Sequence, residues 1–234
     1  MARHRLVKEL AAAALACLAL TGAKPKEKVA DLVYTHPDFA RFGVRDIAML
    51  PVVSFDRNQQ AQLTVERFWG QMFGKNGYRW VSATFSRERL RAAGDSVQKA
   101  YEDQVRRNAR VDSTFAPALA RTLRARGVLT VRVDSYEKVE IEPTQSGRAS
   151  TTIWLKAALV DSTGTLLWSI SGNERLEGQQ YDPSTVMGIN PADPSNRPIT
   201  GAAVAAPSYE EVLTKLLGRW ATLFPPVPRD STSG

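Results

Sequence analysis

Apolar residues recur every three to four positions in the first half of this chain and every second position later. Residues 46–55 (DIAMLPVVSF) form a short apolar run rich in Ile and Val, which predicts a buried strand. Pro51 within it marks an edge position or a strand end. Over 58–75, Val65, Phe68, Trp69 and Met72 stand at i, i+3, i+4 and i+7, one helical stripe, and Asn76-Gly77 supplies the stop. Residues 78–83 predict a second strand. Two helical stretches follow. The first, 86–108, is polar, with Leu90, Val97, Tyr101 and Val105 as anchors. The second, 113–126, repeats Phe115, Leu119 and Leu123 and ends at Gly127.

From residue 129 the period becomes two. Leu129, Val131 and Val133 alternate with Thr130, Arg132 and Asp134, a half-buried strand. Its expected partner is 150–161, with Ile153, Leu155, Ala157 and Leu159 on one face, joined to it by a charged tip over 137–148. A tight turn over 161–165 (DSTGT) leads to a third strand, 165–177, with Leu166, Trp168 and Ile170 on one face. Residues 178–207 hold five prolines and three glycines without periodicity, a long loop. Ser208 and Glu211 then have the spacing of a capping box, ahead of the stripe Leu213, Leu216, Leu217, Trp220 and Phe224 that Pro225-Pro226 ends. The order β-α-β-α-α-β-β-β-α predicts an α+β (mixed α/β) fold: a mixed sheet ending in an antiparallel meander, with helices packed on it. It forms a single domain over 46–224, preceded by a polar tether at 24–45 and followed by a tail at 225–234.

The N-terminus changes this picture, because residues 1–23 have the three regions of a secretory signal peptide. Arg3, Arg5 and Lys8 are the basic region, 10–20 (LAAAALACLAL) the apolar one, and Thr21-Gly22-Ala23 the small residues before a cleavage point. The apolar run is too short to span a bilayer. The expectation is an exported protein of the periplasm, with anchoring to the outer membrane as an alternative. Cys17 is the single cysteine, so no intramolecular disulfide forms. Ala14-Leu15-Ala16-Cys17 resembles a lipobox, which makes Cys17 a candidate for lipidation and a membrane tether. The formal charge is +7, and residues 1–23 carry three basic and one acidic side chain, which leaves +5 without them. Outside the cytoplasm such a surface suits anionic lipid, cell-wall polymer or an acidic protein rather than nucleic acid.

Catalytic constellations are not visible. Apart from His4 in the leader, His36 is the one histidine, and it lies in the tether beside Pro37. Without a second histidine or a mature cysteine, triads, thiol mechanisms and zinc sites have no residues to use. Asp161-Ser162-Thr163-Gly164 differs from an aspartic protease motif by one extra residue and has no second copy, so it reads as a turn. Glu137, Glu140 and Glu142 are close carboxylates at the predicted hairpin tip, with Glu140 and Glu142 on one strand face. Charges that protect an edge explain them better than glycoside hydrolysis. Three arginine clusters (87, 89, 91; 106, 107, 110; 121, 124, 126) lie on helical segments. No cofactor or small-molecule substrate is indicated. The protein is expected not to be an enzyme. It is expected to bind other envelope proteins or itself, and the candidate contact residues are Glu137, Glu140, Glu142 and Arg148 at the tip and Tyr181 in the loop.

Three segments also resemble a group of bacterial envelope proteins. They are IAMLPVVSF (47–55), the turn-strand ALVDSTGTLLW (158–168), and GVLTV (127–131). The group includes the curli-secretion lipoprotein CsgG and the penicillin-binding-protein activator LpoB, and its shared core resembles the N-terminal domain of TolB. The chain departs from it at Ser54, where Asn is usual. The resemblance covers about residues 46–223. It implies the same α+β core and an outer-membrane setting. It leaves as alternatives a secretion-pore subunit related to CsgG and a cell-wall enzyme or its activator.

Overall fold

The computed structural model describes residues 30–142, 145–181 and 205–228. The signal-peptide segment, Cys17 and residues 182–204 of the predicted loop lie outside them. The described residues build one seven-stranded sheet: β1 (Leu32–Thr35), β2 (Asp46–Met49), β3 (Val53–Ser54), β4 (Arg79–Val81), β5 (Gly127–Val139), β6 (Gly147–Asp161) and β7 (Leu166–Tyr181). Five α-helices pack on it: α1 (Gln59–Phe73), α2 (Ala83–Ala92), α3 (Asp95–Asn108), α4 (Ala116–Leu123) and α5 (Tyr209–Leu223).

The strand order is β1-β7-β6-β5-β2-β4, with β3 paired to β5. β2 runs parallel to both β4 and β5, whereas β5, β6, β7 and β1 are successively antiparallel. From β2 the chain crosses outward to β4 and then returns past β2 to β5. Right-handed crossovers in opposite directions place their helices on opposite faces. Accordingly α1 and α5 cover one face, packing Trp69, Phe73, Leu216 and Trp220 against Leu129, Ile153 and Trp168. The other face carries α2, α3 and α4, whose Leu90, Tyr101, Val105 and Leu119 meet Ala48, Val128 and Val160.

The alternating half follows the expected pattern except at Leu166, which was expected on one face with Trp168 and Ile170 but packs against the opposite core. Leu129↔Leu159, Val131↔Ala157 and Ala157↔Ile170 are in register, and a bulge between Leu159 and Val160 lets both Leu167 and Trp168 point into the first core. Asp161 organises the turn before β7. Its carboxylate accepts from the Thr163 N–H at 2.9 Å, the Thr165 N–H at 2.8 Å and the Thr163 hydroxyl at 2.7 Å. Ser208 caps α5 in a full capping box with Glu211.

Of the two positions Pro51 allowed, the strand end is the one found: it follows β2, which is interior to the sheet. Three expectations change. The segment read as a tether is folded from Asp31 onward: β1 pairs with β7, and a 3-10 turn follows at Phe39–Phe42. The predicted helix 86–108 is two helices, since Gly94 at φ 111° breaks the chain and caps α3, so three helices separate β4 from β5. Residues 178–181, placed in the loop, complete β7.

Candidate interaction surfaces and a crevice

β1 carries the first candidate surface. It is the edge strand beside β7, and its Leu32, Val33 and Tyr34 are 69%, 43% and 43% exposed. Its position is set by ionic groups. The Asp31 carboxylate takes Arg219 of α5 in a two-pronged pair (Nε 2.5 Å, the second nitrogen 3.0 Å) and also accepts from the Trp220 indole at 3.2 Å. Arg219 reaches Glu174 of β7 at 2.5 Å, and Lys215 reaches the other Glu174 oxygen at 3.2 Å. The Asp31 and Glu174 side chains are only 8% and 1% exposed, so each depends on these cations. The bonds from Asp31, and then from Glu174, hold the Arg219 guanidinium charged against its burial, raising its pKa. Gly172 makes this approach possible, because a Cβ there would overlap the Asp31 carboxylate.

On the sheet face away from α1 and α5, Thr152, Ala158, Val160 and Asn173 are buried, and the open part is the strip carrying the half-buried Lys156, Ser169 and Ser171 and the exposed Leu32 and Tyr34. Register places Lys156, Ser171 and Leu32 in one row and Ala158, Ser169 and Tyr34 in the next. Lys156 lies over the Trp154 ring at 5.7 Å and pairs with Asp134 at 2.9 Å. A groove of about 840 Å³ runs between this face and the loop after α3, lined by Leu32, Tyr34, Val111 and Ser169 among others. Arg132 of β5 closes the helix end there. It is 8% exposed, donates to the Arg106 carbonyl at 2.7 Å, and is paired with Asp134.

The residues expected at the hairpin tip are gathered less tightly. β5 ends at Val139, so strand alternation does not extend through Glu140 and Glu142. Glu137 accepts from the Ser135 hydroxyl at 2.9 Å, and Glu140 pairs with Lys138 at 3.3 Å. Glu142 is exposed, and its carbonyl accepts from Gln145 N–H at 2.9 Å. Arg148 reaches across to β7, to Gln180 at 3.0 Å and Glu177 at 3.6 Å. Tyr181 packs against the small cluster of Ile141, Ala149 and Ala206. His36 serves a turn, accepting the Asp38 N–H at 3.1 Å with its ring edge-on to Phe42.

A third feature lies where the connections after β2 and β4 leave toward opposite faces, a position where ligands bind in open α/β sheets. A slot of about 340 Å³ opens there between α1 and the start of α2, lined by Met49, Leu63, Trp69, Gly70, Trp80 and Val81 among others. It adjoins a polar chamber of about 750 Å³, and Leu63, Thr84 and Arg87 line both. Glu66, at the junction, accepts the Val52 N–H at 2.9 Å and pairs with Arg87 at 2.5 Å. The chamber brings Arg87 and Arg91 of the first arginine cluster together with Arg106 of the second; the third cluster does not contribute. Sequence reading missed β1, the open face and the crevice. The β-branched and aromatic run Leu32-Val33-Tyr34-Thr35 was the available signal for β1.

Among the described residues, no group of three or more metal-ligating side chains occurs, and no helix is long and apolar enough to cross a membrane. No protein-family model matches the chain, and no curated protein matches it. Among solved structures it is similar to a PelC dodecamer from Paraburkholderia phytofirmans, at 13% identity over 82% of this chain and 95% of that one, with a TM-score of 0.43. It is also similar to the lipoprotein GNA1162 from Neisseria meningitidis (19% identity, 60% and 88% covered, TM-score 0.41). A third likeness is to the hypothetical protein CT253 from Chlamydia trachomatis (11% identity, 75% and 95% covered, TM-score 0.39). At these identities and TM-scores the likenesses assign the chain neither a family nor a function.

Proposed function

We propose that this is an exported cell-envelope protein that works without catalysis, by assembling with itself through the β1 edge and the open sheet face beside it. One observation carries this reading: a sheet edge unpaired among the described residues that displays Leu32, Val33 and Tyr34 to solvent. Soluble proteins blunt such edges with charge, proline or a covering element, and an uncovered apolar one is a template for strand addition. Here the apolar side chains continue across the edge onto both faces, since Leu32 and Tyr34 share the open face while Val33 faces the other. Export is supported by the signal-peptide pattern of residues 1–23.

The test is sedimentation velocity of the purified protein beside a Leu32→Lys/Tyr34→Lys variant. The expected result is a concentration-dependent oligomer that the variant reduces to a monomer without lowering its melting temperature. A protein that stays monomeric at the highest attainable concentration, or an oligomer indifferent to the two lysines, removes the edge from the proposal.

A further inference from the structure

We propose that the crevice between α1 and α2 is a binding site for a small anionic amphiphile, whose apolar part fills the slot and whose acidic group lies in the adjoining chamber. This site is separate from the β1 edge and does not depend on it.

Three observations point there. The first is Gly70. A glycine inside an exposed helix costs about 1 kcal/mol relative to alanine, and it is usually kept where another group must come close. No such group is present, because a Cβ at Gly70 would meet nothing within 4 Å. The missing side chain leaves the slot open. The second is Trp69, 1% exposed, whose indole N–H has no acceptor among the described residues. A buried donor without a partner is costly, so Trp69 is held by the packing of its ring, part of which forms the wall of the slot. The third is charge. Five cations and three carboxylates line the chamber. Arg106 is engaged by Asp103 at 3.1 Å and Glu102 at 4.0 Å, and Arg87 by Glu66. Arg57, Arg91 and Lys99 have no ion pair among the described residues, opposed only by Glu88.

Together these define a ligand. The slot sits at the small end of the usual range of about 300–1,000 Å³ for bound small molecules, and its walls are apolar and aromatic. It suits one acyl chain or one ring. Glu66 does not repel an acid there, because Arg87 and the Val52 N–H already satisfy it. The exposed Leu63 at the shared rim continues the apolar wall toward the chamber, where Arg91 and Lys99 can take a carboxylate or phosphate.

Dodecanoate below its micellar concentration, titrated calorimetrically into the purified protein, is the probe, with dodecyltrimethylammonium as the cationic comparator. Saturable binding at one site per chain is expected, and weaker binding of the cation. Gly70→Leu fills the slot and should weaken dodecanoate by at least about tenfold. Arg91→Glu/Lys99→Glu, changed only on the surface, should erase the preference for the anion while leaving the melting temperature unchanged. No saturable binding, equal binding of the cation, or undiminished binding by Gly70→Leu overturns the proposal.

Discussion

In the parallel half of the sheet, β5, β2 and β4 lie between α1 on one side and α2 to α4 on the other, and their side chains alternate into two separate cores. In the antiparallel half, β6, β7 and β1 are covered on the α5 side and opened in part on the other, where the half-buried Lys156, Ser169 and Ser171 lie beside the exposed Leu32 and Tyr34. The difference follows from connectivity. Parallel strands need helical crossovers, which cover faces, whereas hairpins leave a face uncovered. A single sheet therefore has one half built to enclose and one half available for contact. The enclosed half holds the crevice, and the antiparallel half ends in the exposed β1 edge.

The strongest way to break this contrast is to cut the tie that holds β1 in the bare half. Arg219→Ala leaves Asp31 and Glu174 buried without their main cation. The expected cost is about 3 kcal/mol, visible as a lower urea midpoint. Amide exchange over residues 32–35 should rise far more than in β5, and self-association should disappear with it. A smaller effect of opposite sign sharpens the enclosed half. Gly70→Ala enters open space in α1 and should stabilise the fold by about 0.4–1 kcal/mol, read from the same denaturation curves. A loss of stability would mean that the slot is already filled by relaxation of its walls.

The smallest effect concerns pH and has one carboxylate in each region. Near the crevice, the Ser54 hydroxyl bonded to Asp56, with the Asn58 N–H, holds the Asp56 carboxyl below its usual range despite partial burial. Beside the open face, the Thr114 hydroxyl and then the Phe115 N–H do the same for Asp112. Both folded pKa values are depressed. Their stabilisation is therefore complete above the unfolded value of about 4 and is lost as pH falls through the folded values. Melting temperature should be flat from neutral down to about pH 5 and fall below about pH 4. Asp56→Asn and Asp112→Asn should each flatten that fall slightly.

These contrasts also show what sequence reading reaches. The strands from β5 to β7, the Asp161 turn, Trp168 in the core and the Ser208 capping box were legible, because each is written in neighbouring residues: an alternation, an Asp-x-x-Gly spacing, a Ser-x-x-Glu. The break at Gly94 was missed because apolar spacing continues through it, and only backbone conformation separates α2 from α3. β1 was missed for a different reason. Four residues in a charged segment become a strand only because β7 and Arg219 receive them. The crevice was illegible on the same grounds. Gly70, Arg91 and Lys99 belong to three different helices, and only the two opposed crossovers bring them around one space.

The Asp31–Arg219 pair spans 188 residues. The described partners of β1, on β7 and on α5, therefore leave a ribosome long after β1 itself. Local hairpins and crossovers can close before then; β1 cannot. The exposed strand consequently joins the sheet only after β5, β6 and β7 have been made. Under the proposed self-association, a chain interrupted before β7 is made would lack the edge through which finished molecules join.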